Sequence, residues 1–158
     1  MSAADVDRLY QRYFPLIRQK CRRMLGDLDA AQDLAQDTFV RLWRARLPEH
    51  DTHRVTGWIY KTATRLAIDH LRARAVRDAT PAFDDVVDGP DAALAARRLL
   101  ARLASDAPRD ELECAMLARL DGLSQPEAAE LLGVSERTVR RLLERFDTRI
   151  AHLRGELP

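Results

Sequence analysis

The 158-residue chain has few cysteines, glycines and prolines and no long apolar run. Cys21 and Cys114 are far apart and lack a CxxC or HxxC neighbourhood, which favours buried thiols over a disulfide or zinc site. With six glycines and few β-branched runs, the sequence predicts helix nearly throughout. Apolar runs of only a few residues cannot span a membrane, and MSAADVDRLYQRYF has no apolar signal core. We therefore expect a cytoplasmic protein without membrane insertion.

The chain also lacks an excess of charge of either sign, since its formal net charge is only +1. The charge is unevenly spread. Residues 1–75 carry fourteen Lys and Arg against nine Asp and Glu, whereas residues 76–158 carry twelve against sixteen. A chain so nearly neutral gains little affinity for DNA from counterion release. If it binds DNA, we expect weak binding alone and a larger assembly that holds it there.

The last third, LSQPEAAELLGVSERTVRRLLERFDTRI, has the pattern of a helix-turn-helix. Ser124 and Glu127 form a capping box, Gly133 suits the tight turn, and Ser135 caps the next helix. That second helix has one apolar seam with arginines on the other side. An ordinary solvated face is the alternative, because acidic residues dilute its charge. Since guanidinium groups bind base edges and phosphates bidentately, we predict that duplex DNA is read here. The candidate readers are the arginines Arg137, Arg140, Arg141 and Arg145.

Apolar spacing and capping residues predict seven helices in all. Pro15 should bend or interrupt the first helix, Asp27 or Asp29 could cap the second, and Thr56 should cap the third. Segment 76–90 is rich in Asp, Pro and Gly without a sustained period, which indicates a flexible linker between two small helical domains. The predicted helices cover residues 4–25, 27 or 29 to 46, 57–74, 91–104, 109–120, 125–132 and 136–153.

The segment QDLAQDTFVRLW places a polar stripe beside an apolar one. Such an acidic and amide-bearing helix face could dock on a basic partner surface, with Phe39 or Trp43 as an anchor. The alternative is ordinary surface chemistry, such as an ion pair between Asp37 and Arg41 one turn apart.

The third predicted helix, GWIYKTATRLAIDHLRARAVR, combines basic and aromatic residues. That combination fits single-stranded nucleic acid, because bases stack on rings while phosphates meet Lys or Arg. The alternative is that Trp58 and Tyr60 are simply core residues. The polar side chains expected to face outward are Lys61, Thr62, Thr64, Arg65 and Arg72.

The order of these motifs resembles the bacterial sigma factors of the extracytoplasmic-function (group 4) type. The similarity runs from LYQRYFPLIRQKCRRMLGD through AAQDLAQDTFVRLWR and GWIYKTATRLAIDHLR to LDGLSQPEAAELLGVSERTVRRLLERF, nearly the whole chain. It implies an all-α protein: a sigma domain 2 of three to four helices at 1–75, a linker at 76–90 and a sigma domain 4 with the helix-turn-helix at 91–158. It implies a subunit without catalysis or cofactor that binds core RNA polymerase and promoter DNA and helps to melt that DNA. Such factors are usually held by an anti-sigma factor, which we expect here too.

The resemblance also assigns roles to single residues. Polymerase docking falls to Asp33, Gln36, Asp37, Phe39 and Leu42. The loop before the third helix and that helix itself are expected to bind the melted −10 element. The residues assigned to this role are His53, Arg54, Trp58, Lys61, Thr62 and Arg65. Reading of the −35 element falls to Arg137, Thr138, Arg140, Arg141 and Arg145. The chain departs from the common pattern at Gln32-Asp33 and at Arg140-Arg141-Leu142, so a promoter sequence does not carry over.

Two other functions fit parts of the sequence. A stand-alone helix-turn-helix regulator that binds duplex DNA as a dimer explains the last third but leaves the first half without a role. An enzyme would need a rigid, converging shell of acids, bases or metal ligands. The available groups lie in a loop and in the linker, where solvated charge explains them better: His50, Asp51, His53, Asp84, Asp85 and Asp88.

Overall fold

The computed structural model describes residues 1–48, 51–77 and 91–156. His50 and the linker acids, together with most of the predicted linker, lie outside the described residues. Within those ranges the chain forms α-helices and no strand, which confirms the all-α fold. A π-helical turn at Met116–Leu120, the π turn, continues the fifth helix directly. The helices are α1 Ala3–Leu25, α2 Leu28–Ala45, α3 Thr52–Arg77, α4 Asp91–Asp106, α5 Arg109–Ala115, α6 Gln125–Leu132 and α7 Glu136–Glu156.

The ends of α1 and α2 follow from local capping. The Ser2 hydroxyl accepts from the backbone of Asp5, whose carboxylate accepts from the Ser2 backbone, and Gly26 ends α1 in the left-handed region at φ 70°. Asp27 then caps α2, one of the two predicted possibilities. Interruption of α1 at Pro15 is wrong. A proline removes its own backbone hydrogen bond and crowds the carbonyl four residues before it, but the buried residues beyond it hold the helix on the core.

The helix α3 begins earlier and ends later than predicted. The backbone of Arg54 donates to the Asp51 carboxylate, so the chain is already turning into helix there. Thr56 lies inside α3, where its hydroxyl bonds the carbonyl of Thr52 at 2.8 Å, and it is therefore not a cap. At the other end α3 continues to Arg77, two residues into the predicted linker.

The buried side chains of α1–α3 and of α4–α7 form one continuous apolar cluster. We call residues 1–77 the N-terminal half and residues 91–156 the C-terminal half. The helix α3 packs against α1 and α2 and also against α4, α5 and α6, so it contacts both halves. In the described ranges no helix is both long and apolar enough to cross a membrane.

Both cysteines are free and buried, and burial raises the pKa of each thiol to about 11. At pH 8 such a thiol is only about 0.1% thiolate, against roughly a quarter for an ordinary cysteine. We expect labelling by a disulfide reagent to be at least about 100-fold slower than that of glutathione. Two thiols should react promptly in denaturant. Rapid labelling of one thiol in the native protein would contradict this prediction.

Candidate nucleic-acid and polymerase interfaces

The helix-turn-helix forms as its capping pattern predicts. The backbone of Glu127 donates to the Ser124 hydroxyl at 3.3 Å, and that hydroxyl donates to the Glu127 carboxylate at 2.9 Å. Gly133 turns the chain between α6 and α7 at φ 68°. The Ser135 hydroxyl accepts from the backbone of Thr138 at 3.1 Å and so caps α7. The Ser124 cap, the Gly133 turn and the Ser135 cap are confirmed. The capping box is only half formed, because the Glu127 carboxylate accepts from the Ser124 hydroxyl and not from the Ser124 backbone.

The helix α7 separates its apolar seam from its arginines as predicted. The seam residues Val139, Leu142, Leu143, Phe146 and Leu153 are buried, while all four arginines of the predicted reading face are exposed. The face borders an open depression of about 410 Å³. Three guanidinium groups and one carboxylate give it a positive balance, which suits an anionic ligand. Its lining residues are Arg137, Thr138, Arg140, Arg141 and Glu144.

Two ion pairs hold α7 against α5 and the π turn. Arg149 donates to both carboxylate oxygens of Glu111, at 2.8 and 3.3 Å, and this hydrogen bonding raises the pKa of Arg149. The Glu111 side chain is only 2% exposed. Arg119 pairs with Asp147 at 2.8 Å on the surface. Sequence analysis missed both pairs, because their partners are distant in sequence and no local pattern marks them.

The six residues expected to contact the −10 element lie on α3 between positions 53 and 65, but their surroundings differ. His53 and Arg54 are exposed in its first turn, and Trp58 and Thr62 are partly buried. Lys61 is also partly buried, and its Nζ donates to the carbonyl of Leu131 in α6 at 3.2 Å. Arg65 is exposed, with its Nε 2.7 Å from a carboxylate oxygen of Glu113.

Besides Lys61, two more of the residues expected to face outward along α3 do not. Thr64 is fully buried, and its hydroxyl bonds the carbonyl of Tyr60 at 2.8 Å. Arg72 donates to the carbonyls of Ala104 and Ala107 at the end of α4, each at 2.9 Å. The expectation failed because the periodicity of α3 shows its face toward α1 and α2 but not the second face, which the C-terminal half covers.

On α2 the predicted docking residues divide by burial. Asp33 and Gln36 are exposed, and Asp37 pairs with Arg41 at 3.3 Å, the surface pair weighed as an alternative. Phe39 and Leu42 are buried in the core. Their assignment as contact residues is corrected, because a buried side chain offers no surface to a partner. The large apolar side chains that α2 exposes are Leu28, Val40 and Trp43.

Comparison with known proteins covers both halves. The Sigma-70 region 2 family matches residues 9–77, and the Homeodomain-like domain matches residues 107–154. RNA polymerase sigma factor CnrH of Cupriavidus metallidurans is 31% identical over 137 residues, covering 77% of this chain and 71% of CnrH. ECF RNA polymerase sigma factor SigF of Caulobacter vibrioides is 30% identical over 128 residues, covering 78% and 70%. The chain belongs to the ECF RNA polymerase sigma factors.

Other similarities extend over nearly the whole sigma factor. ECF RNA polymerase sigma factor SigM of Bacillus subtilis is 25% identical over 155 residues, 94% of each chain. The fold matches that of sigma factor RpoE from Bartonella quintana, solved in complex with the anti-sigma factor NepR. That match covers 96% of this chain and 97% of RpoE, with a TM-score of 0.59 and 19% identity. Family membership favours a sigma factor over a stand-alone regulator, because it accounts for both halves.

The described part of the sigma factor holds no cluster of three or more His, Cys, Asp or Glu side chains arranged to bind a metal. Asp51 and His53, two of the loop residues considered for an enzyme, are exposed at the start of α3. Asp51 accepts from the Arg54 backbone there, so it has a structural role as a helix cap.

Proposed function

We propose that this sigma factor binds core RNA polymerase, recognises −10 and −35 promoter elements and helps to melt the DNA, without catalysis or a cofactor of its own. Two features of the same chain support the proposal. Residues 9–77 match Sigma-70 region 2, and the C-terminal half contains a capped helix-turn-helix whose arginine face is exposed. Such a protein acts where the DNA is, in the cytoplasm.

We propose that residues 1–75 and residues 91–158 bind different promoter elements. We propose that the C-terminal half reads duplex −35 DNA with the arginine face of α7, because guanidinium groups recognise guanine edges and phosphates bidentately. The N-terminal half would capture the unpaired −10 strand on α3, where basic side chains lie beside an aromatic ring. The residues proposed for −35 are Arg137, Thr138, Arg140, Arg141 and Arg145, and those for −10 are His53, Arg54, Trp58, Lys61, Thr62 and Arg65.

For polymerase docking we propose the outer face of α2. Asp33, Gln36 and Asp37 supply polar and acidic groups, and the exposed Trp43 offers a large apolar anchor nearby. Phe39 and Leu42 contribute by fixing α2 on the core. A partner that inhibits the factor is a further proposal, supported by the fold likeness to a sigma factor that was solved with its anti-sigma factor.

Strand separation follows from differential binding. A protein that binds unpaired −10 bases but not the paired duplex shifts the DNA toward the open form by the difference between those affinities. Base stacking on an aromatic side chain supplies about 1–3 kcal/mol per base, enough to offset part of the cost of unpairing. The small net charge makes free binding weak, so the polymerase must hold the factor in place.

The test is run-off transcription with core polymerase and a template pool in which both promoter elements are randomised. Transcripts recovered only in the presence of the protein should share a −35 and a −10 sequence at fixed spacing. Initiation that does not rise above that of core polymerase alone would overturn the proposal. Protection of two half-sites one helical turn apart, without polymerase, would instead support the stand-alone regulator.

Replacing Arg141 with alanine should weaken −35 recognition by about 1–3 kcal/mol if a bidentate base contact is lost. The measurement is initiation from a panel of selected promoters, each changed at one −35 position. A base contact predicts that the loss disappears on promoters changed at the contacted position, whereas a phosphate contact predicts an equal loss on every promoter. Arg154→Ala, exposed at the end of the same helix, is the matched control and should have little effect.

A further inference from the structure

The surface of α3 proposed to bind −10 DNA is in contact with the C-terminal half. Lys61 donates to the Leu131 carbonyl and Arg65 to Glu113, at 3.2 and 2.7 Å. Glu113 is itself 4% exposed, so its carboxylate is directed into the contact between the halves. Both cations therefore already have the kind of acceptor, an anionic or carbonyl oxygen, that a DNA strand would offer.

Gly57 brings α6 close to this surface. A Cβ atom at position 57 would lie 2.9 Å from Cδ1 of Leu131, so the missing side chain leaves the room that Leu131 occupies. Glycine inside a helix costs about 1 kcal/mol relative to alanine. A methyl group at position 57 would therefore require the end of the Leu131 side chain to shift.

A third contact between the halves is almost completely buried. Lys20 of α1 donates to Asp121 at 2.5 Å, and their side chains are 3% and 5% exposed. The π turn positions Asp121, whose backbone donates to the Met116 carbonyl at 3.1 Å. Burial lowers the pKa of Lys20 and raises that of Asp121, despite their mutual attraction. In such a buried pair either charge alone is strongly disfavoured, so removal of one partner destabilises the closed arrangement.

Most of the polar contacts between the halves have the same polarity. In four of the polar contacts between the halves the cation is N-terminal and the oxygen C-terminal; their cations are Lys20, Lys61, Arg65 and Arg72. The exposed pair Arg109–Asp69 runs the other way. The same complementarity exists in the whole sequence, since residues 1–75 have an excess of five positive charges and residues 76–158 an excess of four negative charges.

We propose that the C-terminal half acts as an intramolecular competitor of the −10 strand. In the closed, free sigma factor its oxygens occupy Lys61 and Arg65, and separation of the halves releases both cations. The inference rests on the proposed −10 role of Lys61 and Arg65. The Lys20–Asp121 pair is the latch, because it fixes the closed arrangement without taking part in the DNA contacts. Affinity for a single strand is then reduced by the fraction of molecules that are open.

The test uses the full chain, with small-angle X-ray scattering for its dimensions and fluorescence anisotropy for binding of a labelled single strand that carries the selected −10 element. Asp121→Asn leaves the Lys20 ammonium buried without its counterion, and separation of the halves lets water solvate it. We expect a larger radius of gyration and single-strand affinity raised by at least about fivefold. Asp147→Asn makes the same charge change on the surface and should alter neither.

Two further variants keep the test decisive if Asp121→Asn is poorly folded. Glu113→Gln weakens the Arg65 contact, and because Arg65 is exposed it should raise single-strand affinity without unfolding the chain. The double variant Lys20→Met, Asp121→Leu replaces the pair by apolar side chains, which such a site accepts. It should stay compact and bind the strand no better than wild type.

A wild-type protein that is already extended, or unchanged single-strand affinity in both Asp121→Asn and Glu113→Gln, would overturn the proposal. Expansion without a gain in binding would also overturn the masking of the −10 surface. The run-off transcription assay tests the proposed function separately. If the protein still directs specific initiation, its role as a sigma factor stands, and a negative result in the single-strand binding assay overturns only the masking of α3.

Discussion

Replacing Arg65 with alanine is expected to lower promoter opening by about 10- to 100-fold while duplex recruitment at the −35 element is largely retained. This decrease in promoter opening corresponds to the loss of one hydrogen bond to a charged group, which is worth about 1.5–3 kcal/mol. The Arg65 side chain is 47% exposed, so its guanidinium has room to leave Glu113 for a phosphate. Opening is measured by permanganate reactivity of the −10 thymines, and recruitment by gel shift with core polymerase.

Glu113→Gln is the matched control, since it weakens the same ion pair but keeps the guanidinium. It should preserve or increase thymine reactivity. If the two variants lowered opening equally, the contact between the halves, and not a DNA contact, would be the function of Arg65. Unchanged thymine reactivity in Arg65→Ala would contradict a role in opening altogether.

The C-terminal helices show which parts of the fold are local enough to predict. Ser124, Gly133 and Ser135 act within a few residues of their own positions, and their roles could be predicted because a cap needs only its own turn. The seam of α7 was equally predictable from its spacing. The prediction that Thr56 caps α3 was wrong, although it rested on the same kind of local pattern. Asp51, five positions earlier, already caps α3.

The contacts between the halves could not be predicted in this way. Lys20 and Asp121 are 101 positions apart, and periodicity indicates that a face is covered without indicating by what. The same limit explains why Phe39 and Leu42 were wrongly predicted to contact the polymerase. The family resemblance assigned their helix to polymerase docking, and only the packed structure shows that these two side chains face inward while Trp43 is exposed.

The helix α7, which we propose reads the −35 element, is held against α5 by the ion pair between Arg149 and Glu111. Arg149→Met should lower the free energy of unfolding by about 3 kcal/mol, the lower end of the range for breaking a buried ion pair, because Arg149 is itself partly exposed. The Glu111 carboxylate would remain in the core without a partner. The measurement is urea denaturation followed by circular dichroism, with binding to −35 duplex in the polymerase complex as the functional readout.

Two variants isolate the cause. Asp147→Asn breaks the exposed pair with Arg119, which also joins α7 to the π turn, and should cost less than about 1 kcal/mol. Glu111→Leu combined with Arg149→Met removes both charges and should recover most of the lost stability, since apolar replacement of a buried pair is often neutral. If the double variant were as unstable as Arg149→Met, the loss would come from the packing of the arginine stem against its neighbours. If Arg149→Met cost no more than Asp147→Asn, burial of Glu111 would have no energetic consequence, and α7 would be held in its reading orientation by the apolar seam alone.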